Sequence, residues 1–514
     1  MRMKTLLFAL AGLLLLASCQ KPAPLPKWND PLSTTFDASR KPFYHGVASG
    51  DPLTDRVIIW TRVTPDDSMA RIPVKWEVAK DEQFSAVLKS DTLGTTPLRD
   101  YTVKVDVTGL EPGQHYFFRF SALGATSPVG RTKTLPTNAV DSLKLAVVSC
   151  SNWEFGYFNA YDRIADKEVD AVLHLGDYIY EYGVGKYGDT TIGRLHVPAH
   201  EIVSLSDYRS RHSQYRLDEG SIHLGARHPM IAIWDDHEVA NNSYVTGAQN
   251  HQPEEGDYEK RKAAARQAYY EWLPIRETGK HYRSFSFGPL ADLWMLDERL
   301  EGRTVQPANM NDPAYQSDDA TMLGAEQLNW LENGLKNSSA NWKVIGNQVI
   351  FADVELSAVY PRMPRNLDSW DGYPKEKQKL KSFVLDNKIN DIVFLAGDTH
   401  SSWAIEVATD VKKTYNAKTS AGAFAVEFGT TSVSSGNSDE GTSADTVRMM
   451  EAVMLKSNPH IKYLNARDHG YVLLTLYPEK AKAEWYFVNT LRTRDAGERL
   501  EKSYTVARGQ AKLQ

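Results

Sequence analysis

Between Phe43 and about Leu135 apolar and polar residues alternate in short runs, the period of two that predicts β-strands. The runs are Arg56–Arg62, Val74–Val78, Tyr101–Val107 and His115–Ala122, with turn signals at Asp51-Pro52, Pro65-Asp66 and Glu111-Pro112-Gly113. They predict an all-β sandwich over residues 42–136; a β-rich extension of the next domain without its own core is the alternative. After the linker Thr134–Asp141 the texture changes to apolar strands alternating with helices. Strands are expected at Leu143–Ser149, Ala171–Leu175, Met230–Trp234, Leu293–Leu296, Lys343–Gln348 and Ile392–Ala396. Helices are expected at Asn159–Asp166, Tyr258–Leu273, Ala325–Lys336 and Lys375–Asn387. Such alternation over residues 140–505 predicts an α/β domain with helices covering a central sheet. No internal repeat or low-complexity block interrupts it.

The N-terminus follows a different pattern. Arg2 and Lys4 precede an apolar run from Leu6 to Leu16 that ends in Leu16-Ala17-Ser18-Cys19. The run is too short for a permanent span and reads as a signal peptide over residues 1–18 with the form of a bacterial lipobox. Cys19 is then the expected lipidation site, and residues 19–41, rich in Pro, Ser and charge, are expected to tether the fold to a bilayer. Gln20 is not acidic, which favours an outer-membrane position facing the periplasm or cell surface. No Arg pair precedes the apolar run.

With 59 Lys and Arg against 65 Asp and Glu, the net charge of −6 gives no basic field of the kind that binds nucleic acid by counterion release. Specific nucleic-acid recognition is not expected. The 514 residues are enough for about two to four domains at roughly 100–200 residues each. Of the 2 cysteines, only Cys150 would remain as a free thiol in the acylated chain. An exported protein normally pairs its cysteines, so metal ligation is one reason for Cys150, and a buried apolar thiol is the plain alternative.

Four polar clusters fall just after apolar strands, where ligand-bearing loops gather in open α/β sheets. LKLAVVSC ends on Cys150, and AVLHLGDYIYEYG presents Asp177 and Tyr180. MIAIWDDHEVANN presents Asp235, Asp236, His237, Asn241 and Asn242, while IVFLAGDTHSS presents Asp398 and His400. Carboxylate and amide oxygens suit a hard divalent ion; thiolate, phenolate and imidazole suit a redox metal or zinc. The plain readings are a core aromatic for Tyr180, helix caps for Asp177 and Asp398, and a packed polar residue for His400. His174 is expected to be packed, and Asp235, Glu238, Asp297 and Arg299 to be structural. Tyr208, Arg209, Arg211, His212, Tyr215 and Arg216 read as one solvated helix face. No GxSxG elbow or Walker loop occurs.

The ordered motifs SC, GDYIYEYG, YRSRHSQYRLD, WDDHEVANN, LDER, GNQ, SWDGYP, GDTHSSW and EFGTTSVSSG resemble those of the alkaline phosphatase D (PhoD-like) family of the metallophosphoesterase superfamily. The resemblance spans about residues 42–490. VTGLEPGQHYFFRFSA resembles a fibronectin type III segment, with Leu110 inward and Tyr116 opening a strand. The family resemblance implies a four-layer α/β/β/α sandwich preceded by that fibronectin- or Ig-like β domain. It also implies Fe(3+) held by Cys150, Asp177, Tyr180 and His400, and Ca(2+) held by the shared Asp177, by Asn241 or Asn242 (Asn242 preferred), and by Asp398. Asp236 and His237 would lie beside metal and phosphate, acting with Asp177 in catalysis.

The expected reaction is hydrolysis of phosphate monoesters and diesters outside the cytoplasm by a metal-bound oxygen. Phospholipid, teichoic-type and nucleotide phosphodiesters are the expected substrates. A strict phosphodiesterase and a non-catalytic surface-binding lipoprotein are the alternatives. The charged segment after Leu491 carries no expectation about the site.

Overall fold

The computed structural model describes residues 30–514. Cys19, the signal segment and most of the tether lie outside the described residues. Two large sheets pack face to face. One has nine strands in the order Glu498–Ala507, Lys480–Val488, Gly470–Leu476, Leu143–Val148, Ala171–His174, Pro229–Ala232, Val47–Gly50, Arg56–Arg62 and Thr102–Thr108. The other has seven, in the order Arg283–Ser286, Ala291–Met295, Trp342–Gly346, Ile392–Ala396, Ala423–Gly429, Ser402–Ala408 and Ile461–Asn465.

Alternation along each strand divides the core. Leu143, Leu145 and Val147 face the second sheet, where they meet Leu293, Val344 and Val393. Ala146, Val148 and Val172 point the other way, under Ile164, Tyr208, Leu224 and Ala268 of the helices Asn159–Ala165, Leu205–Arg216, Glu219–Arg227 and Tyr258–Trp272. On the far side Ile345, Ile392 and Phe394 are covered by Leu331, Leu380 and Met454 of the helices Gly324–Asn337, Pro374–Asp386 and Ala444–Ser457. The result is the α/β/β/α sandwich. The central parallel strands are apolar on both faces because each face is buried; each such side chain contributes roughly 1.5–3 kcal/mol.

The leader is all-β. Ile72–Ala79, Val87–Thr95, His115–Ala122, Ala125–Thr126 and Gly130–Lys133 form a third sheet. Its inner residues Val74, Val78, Phe118 and Phe120 pack on Val57, Ile59 and Val103. Those partners sit on strands of the nine-stranded sheet, so the leader has a core, yet one wall of it continues hydrogen-bonded into the larger domain.

One expectation is overturned. Ser204 opens the helix Leu205–Arg216 with a capping box, its hydroxyl accepting from the Asp207 amide (3.3 Å) and its amide donating to the Asp207 carboxylate (2.9 Å). The face thought to be solvated is buried: Tyr208, Arg211, His212, Tyr215 and Arg216 are all inside. The Arg211 guanidinium donates to the carbonyls of Tyr180, Tyr182 (3.1 Å), Val197 (3.3 Å) and Pro198 (3.1 Å). A charged helix face is buried because it satisfies the backbone of a loop that has no sheet to join. Arg209, half-buried, pairs with Glu271 at 2.7 Å.

Trp485, fully buried on the first sheet, donates its indole N–H to the carbonyl of Gly429 on the second (3.0 Å) and meets Phe428 edge-on at 5.8 Å. Trp485→Ala is expected to destabilise the fold by about 3–5 kcal/mol. Leu500→Ala, on the exposed edge strand Glu498–Ala507, should stay within about 0.5 kcal/mol. Urea denaturation of the two variants checks this; equal midpoints would contradict the intersheet role of Trp485.

Candidate metal centre

The parallel strands of both sheets deliver their C-terminal ends to one seam. Cys150 follows Leu143–Val148, Asp177 follows Ala171–His174, Asp235 to His237 follow Pro229–Ala232, and Asp398 and His400 follow Ile392–Ala396. At Cys150, Asp177, Asn242, Asp398 and His400 the backbone is left-handed, with φ of 60°, 54°, 53°, 59° and 50°. Non-glycine residues adopt that conformation at a cost, and such turns cluster where side chains must be aimed. The glycines before the two aspartates allow the loops to touch. A Cβ on Gly176 (φ +108°) would lie 2.3 Å from the Asp235 Cβ, and one on Gly397 would lie 2.7 Å from that of Ser149.

The segment Thr430–Ser435 ties the two strand ends together. Thr430 donates its amide to Ala396 (2.8 Å) and its hydroxyl to the carbonyl of Val147 (3.1 Å); the amides of Val433 and Ser435 donate to the carbonyls of Ser149 (2.9 Å) and Cys150 (3.2 Å). The amides of Cys150 and Ser151 in turn donate to Gly176 (3.1 Å) and Asp177 (2.9 Å).

Three groups of ligating atoms result, each with all its atoms within 4.8 Å of one another: Cys150, Asp177 and His400; Asp177, Asp236 and His237; and Asp235, Asp236 and Asp398. Asp177 and Asp236 link them into a chain. The Tyr180 hydroxyl lies 3.0 Å from Asp177 Oδ2 and 3.2 Å from His400 Nε2, so the phenol belongs to the first group. Asn241 and Asn242 stand at the edge, both side-chain amides donating to Gln249 (2.5 and 3.3 Å), while the Asn242 backbone amide donates to Asp236 (2.6 Å).

The electrostatics fit cations here. Burial, reinforced by the Asp177 carboxylate, pushes the Cys150 thiol and the Tyr180 phenol well up. Burial also raises Asp177, with Asp235, Asp236 and Glu238 adding to the rise against the pull of His237. Asp235 is pushed up to about 8, by burial and despite Arg299, and Asp398 to about 7, by burial and then Asp368. Asp236 resists burial because Arg299 and His237 hold it at about 2. Asp177 Oδ1, Asp235 Oδ2 and Asp236 Oδ1 are buried and accept no hydrogen bond. Orphaned carboxylate oxygens are costly unless a cation completes them, and the donor chemistry suits a softer ion near Cys150 and a harder one near the carboxylates.

Other residues organise this site: Arg299 and Glu238, expected from the sequence to be structural, and Glu181 and Tyr187, which the sequence pattern does not single out. Arg299 is fully buried and donates to Asp235, to both oxygens of Asp368 (2.9 Å) and to Asp398 (3.3 Å), with Asp236 at 3.6 Å. Glu238 accepts from the amides of Asp177 (3.1 Å), Tyr178 (2.5 Å) and Asp235 (2.8 Å), clamping two ligand loops. Glu181 lies 2.6 Å from His237 Nδ1, and its carboxylate raises the imidazole's pKa well above the ordinary value against the opposing effect of burial. Tyr187 reaches His400 Nδ1 (3.2 Å), which also lies 2.7 Å from the Gly436 carbonyl. A dinucleotide-type GxGxxG loop is not expected; the spacing does occur at Gly183-Val184-Gly185-Lys186-Tyr187-Gly188, but it opens no α-helix and so is not such a loop. His174 is packed, against Tyr161 (2.8 Å), and Asp297 is structural, accepting from the Trp234 indole (2.8 Å) and the Arg299 and Leu300 amides. The segment after Leu491 stays outside the seam: Arg492 pairs with Asp189 (2.5 Å), and Glu498–Ala507 is an edge strand.

Comparison with known proteins agrees with this architecture. Residues 145–485 match the family model of the PhoD-like phosphatases, and residues 29–136 match the model of the N-terminal domain of PhoD-like phosphatases. The chain is 40% identical over 477 residues to alkaline phosphatase D of Bacillus subtilis (strain 168), covering 87% of this chain and 78% of that protein. A solved structure of PhoD superposes with a TM-score of 0.83 at 37% identity, over 93% of this chain and 92% of that one. The chain therefore belongs to the PhoD-like phosphatase family and is a phosphoric ester hydrolase.

Proposed function

We propose that the chain hydrolyses both phosphate monoesters and diesters at this seam. Cys150, Asp177, Tyr180 and His400 would hold ferric iron, and Asp177, Asn242 and Asp398 calcium. The observation that carries the reading is the convergence of four strand ends on buried, unpartnered carboxylate oxygens beside a thiol and a phenol. When bound, the cations supply a nucleophilic oxygen at neutral pH and positive charge for the phosphoryl group. The chain's own residues supply position and a further charge. His237, paired to Glu181 and with its ring 4.3 Å from that of Tyr180, would offer a fixed hydrogen-bond donor to a phosphate oxygen. Arg299 and Glu238 set the carboxylates and their loops before substrate arrives. Of the two asparagines, Asn242 is favoured because it shares the left-handed backbone of the other candidate ligands. Outside the described residues, Cys19 is proposed as the acylated residue that holds the enzyme on a membrane surface outside the cytoplasm, on the strength of Leu16-Ala17-Ser18-Cys19.

Turnover of p-nitrophenyl phosphate and bis-p-nitrophenyl phosphate tests the reaction. Both are expected to be cleaved; activity on the diester alone would restrict the enzyme to diesters, and activity on neither would refute the proposal. Asp177→Asn keeps the shape but removes a charge shared by two ligand groups. Its kcat is expected to fall by at least about 100-fold, and near-wild-type turnover at full metal content would remove Asp177 from its shared role.

Phenolate bound to ferric iron should colour the protein, because a phenol of ordinary pKa about 10 ionises near neutral pH only on a strong cation. Tyr180→Phe should shift or abolish the visible band and Cys150→Ser should lower iron content. Calcium chelation should cut activity without bleaching. A colourless, active protein containing only zinc or magnesium would contradict the iron and calcium assignment. Cys19→Ala should accumulate unprocessed precursor; unchanged processing and membrane partition would refute acylation.

A further inference from the structure

Beside the seam lies a cavity of about 330 Å³ whose walls are mostly apolar, within the size range of small-molecule sites. Val354, Val359, Met450, Met454 and Leu464 form much of it, together with the face of Trp403. Tyr360 and Met363, also part of its lining, are 42% and 49% exposed, so the cavity is open to solvent at that rim.

Asn366 and Glu451, whose carboxylate accepts from the Ala466 amide at 2.8 Å, are part of the polar lining, and four further polar residues connect the cavity to the candidate metal centre. Thr399 lies between Asp398 and His400 in the chain, and Ser401 follows His400. Ser438 is two residues beyond Gly436, whose carbonyl lies 2.7 Å from His400 Nδ1. Ser369 follows Asp368, the carboxylate that grips Arg299. The loops that hold the centre thus turn their neighbouring residues to the cavity, and the Trp403 indole, donating to the Thr399 hydroxyl at 2.8 Å, fixes the wall they share.

We propose that this cavity is the subsite for an apolar alkyl group esterified to the phosphate that is cleaved, so that the enzyme prefers phosphodiesters carrying an aliphatic alcohol. The inference rests on the hydrolase reading above. An alkyl chain fits because the cavity presents mainly methyl, thioether and indole surface, and its one charged lining residue, Glu451, is an acid that would repel a second phosphate rather than hold it. The thioethers of Met363, Met450 and Met454 adapt to flexible aliphatic ligands.

The test is kcat/KM on methyl, butyl and octyl p-nitrophenyl phosphodiesters with the metal-loaded full chain. From methyl to butyl a rise of at least about tenfold is expected, since each buried methylene favours binding several-fold. Met450→Asp, at a half-buried helix position, and Ala466→Phe, which fills the cavity from another wall, should flatten that rise and leave the methyl ester within about twofold of wild type. Equal kcat/KM across the series, or a chain-length preference that survives both variants, would overturn the subsite. If no ester turns over, the hydrolase reading falls. Calorimetric binding of octylphosphonate against methylphosphonate then decides the cavity alone: tighter octyl binding that is lost in both variants supports it, and equal binding overturns it.

Discussion

Buried negative charge at the seam between the two sheets is the constraint on which the site depends. Asp177, Asp235, Asp236 and Asp398 are drawn together from three loops, with ligating oxygens within 4.8 Å in the linked groups, and Glu238 is buried beside them. Two unit charges at about 4 Å repel by roughly 4 kcal/mol even at an effective dielectric of 20. Arg299 and His237 offset part of this, and Asp177, Asp235 and Asp398 are raised first by burial and then by the neighbouring carboxylates. A fold that retains such a cluster does so for what the cluster binds.

The scaffold is built to hold that cluster. The apolar strands fill the space between the sheets, so their ends are fixed; the left-handed turns then aim the side chains, and Gly176 and Gly397 let the loops touch. Thr430–Ser435 sews the first sheet to the second at the level of Cys150. From outside, Arg211 pins the carbonyls of Tyr180 and Tyr182 and so sets the phenol against Asp177 and His400. Backbone strain, intersheet hydrogen bonds and a buried guanidinium all work on the same few side chains.

Much of this was legible where burial is two-sided or alternation is clean. Arg56–Arg62, His115–Ala122 and Ile392–Ala396 form strands at the residues their patterns specify. The metal-type residues stood out because they follow apolar runs ending in Gly-Asp or Ser-Cys. The strands after Ala396 were harder to read: Ser402–Ala408 buries Ser402 and Glu406, and Glu498–Ala507 is a charged edge strand. The helix Leu205–Arg216 misled for the same reason, since polar residues are buried when they satisfy backbone carbonyls rather than solvent. Glu181, Glu238 and Arg299 act through partners dozens of residues away, and one-dimensional periodicity carries no record of such pairings.

Anomalous diffraction from crystals of the metal-loaded protein, recorded on both sides of the iron absorption edge, tests most directly the claim that cations complete the seam's charge. The account predicts an iron peak bonded to Cys150, Asp177, Tyr180 and His400, with a second, non-iron cation on the Asp177, Asn242 and Asp398 side. Fully loaded, active protein with no cation among these residues, or with its metal bound elsewhere, would contradict it.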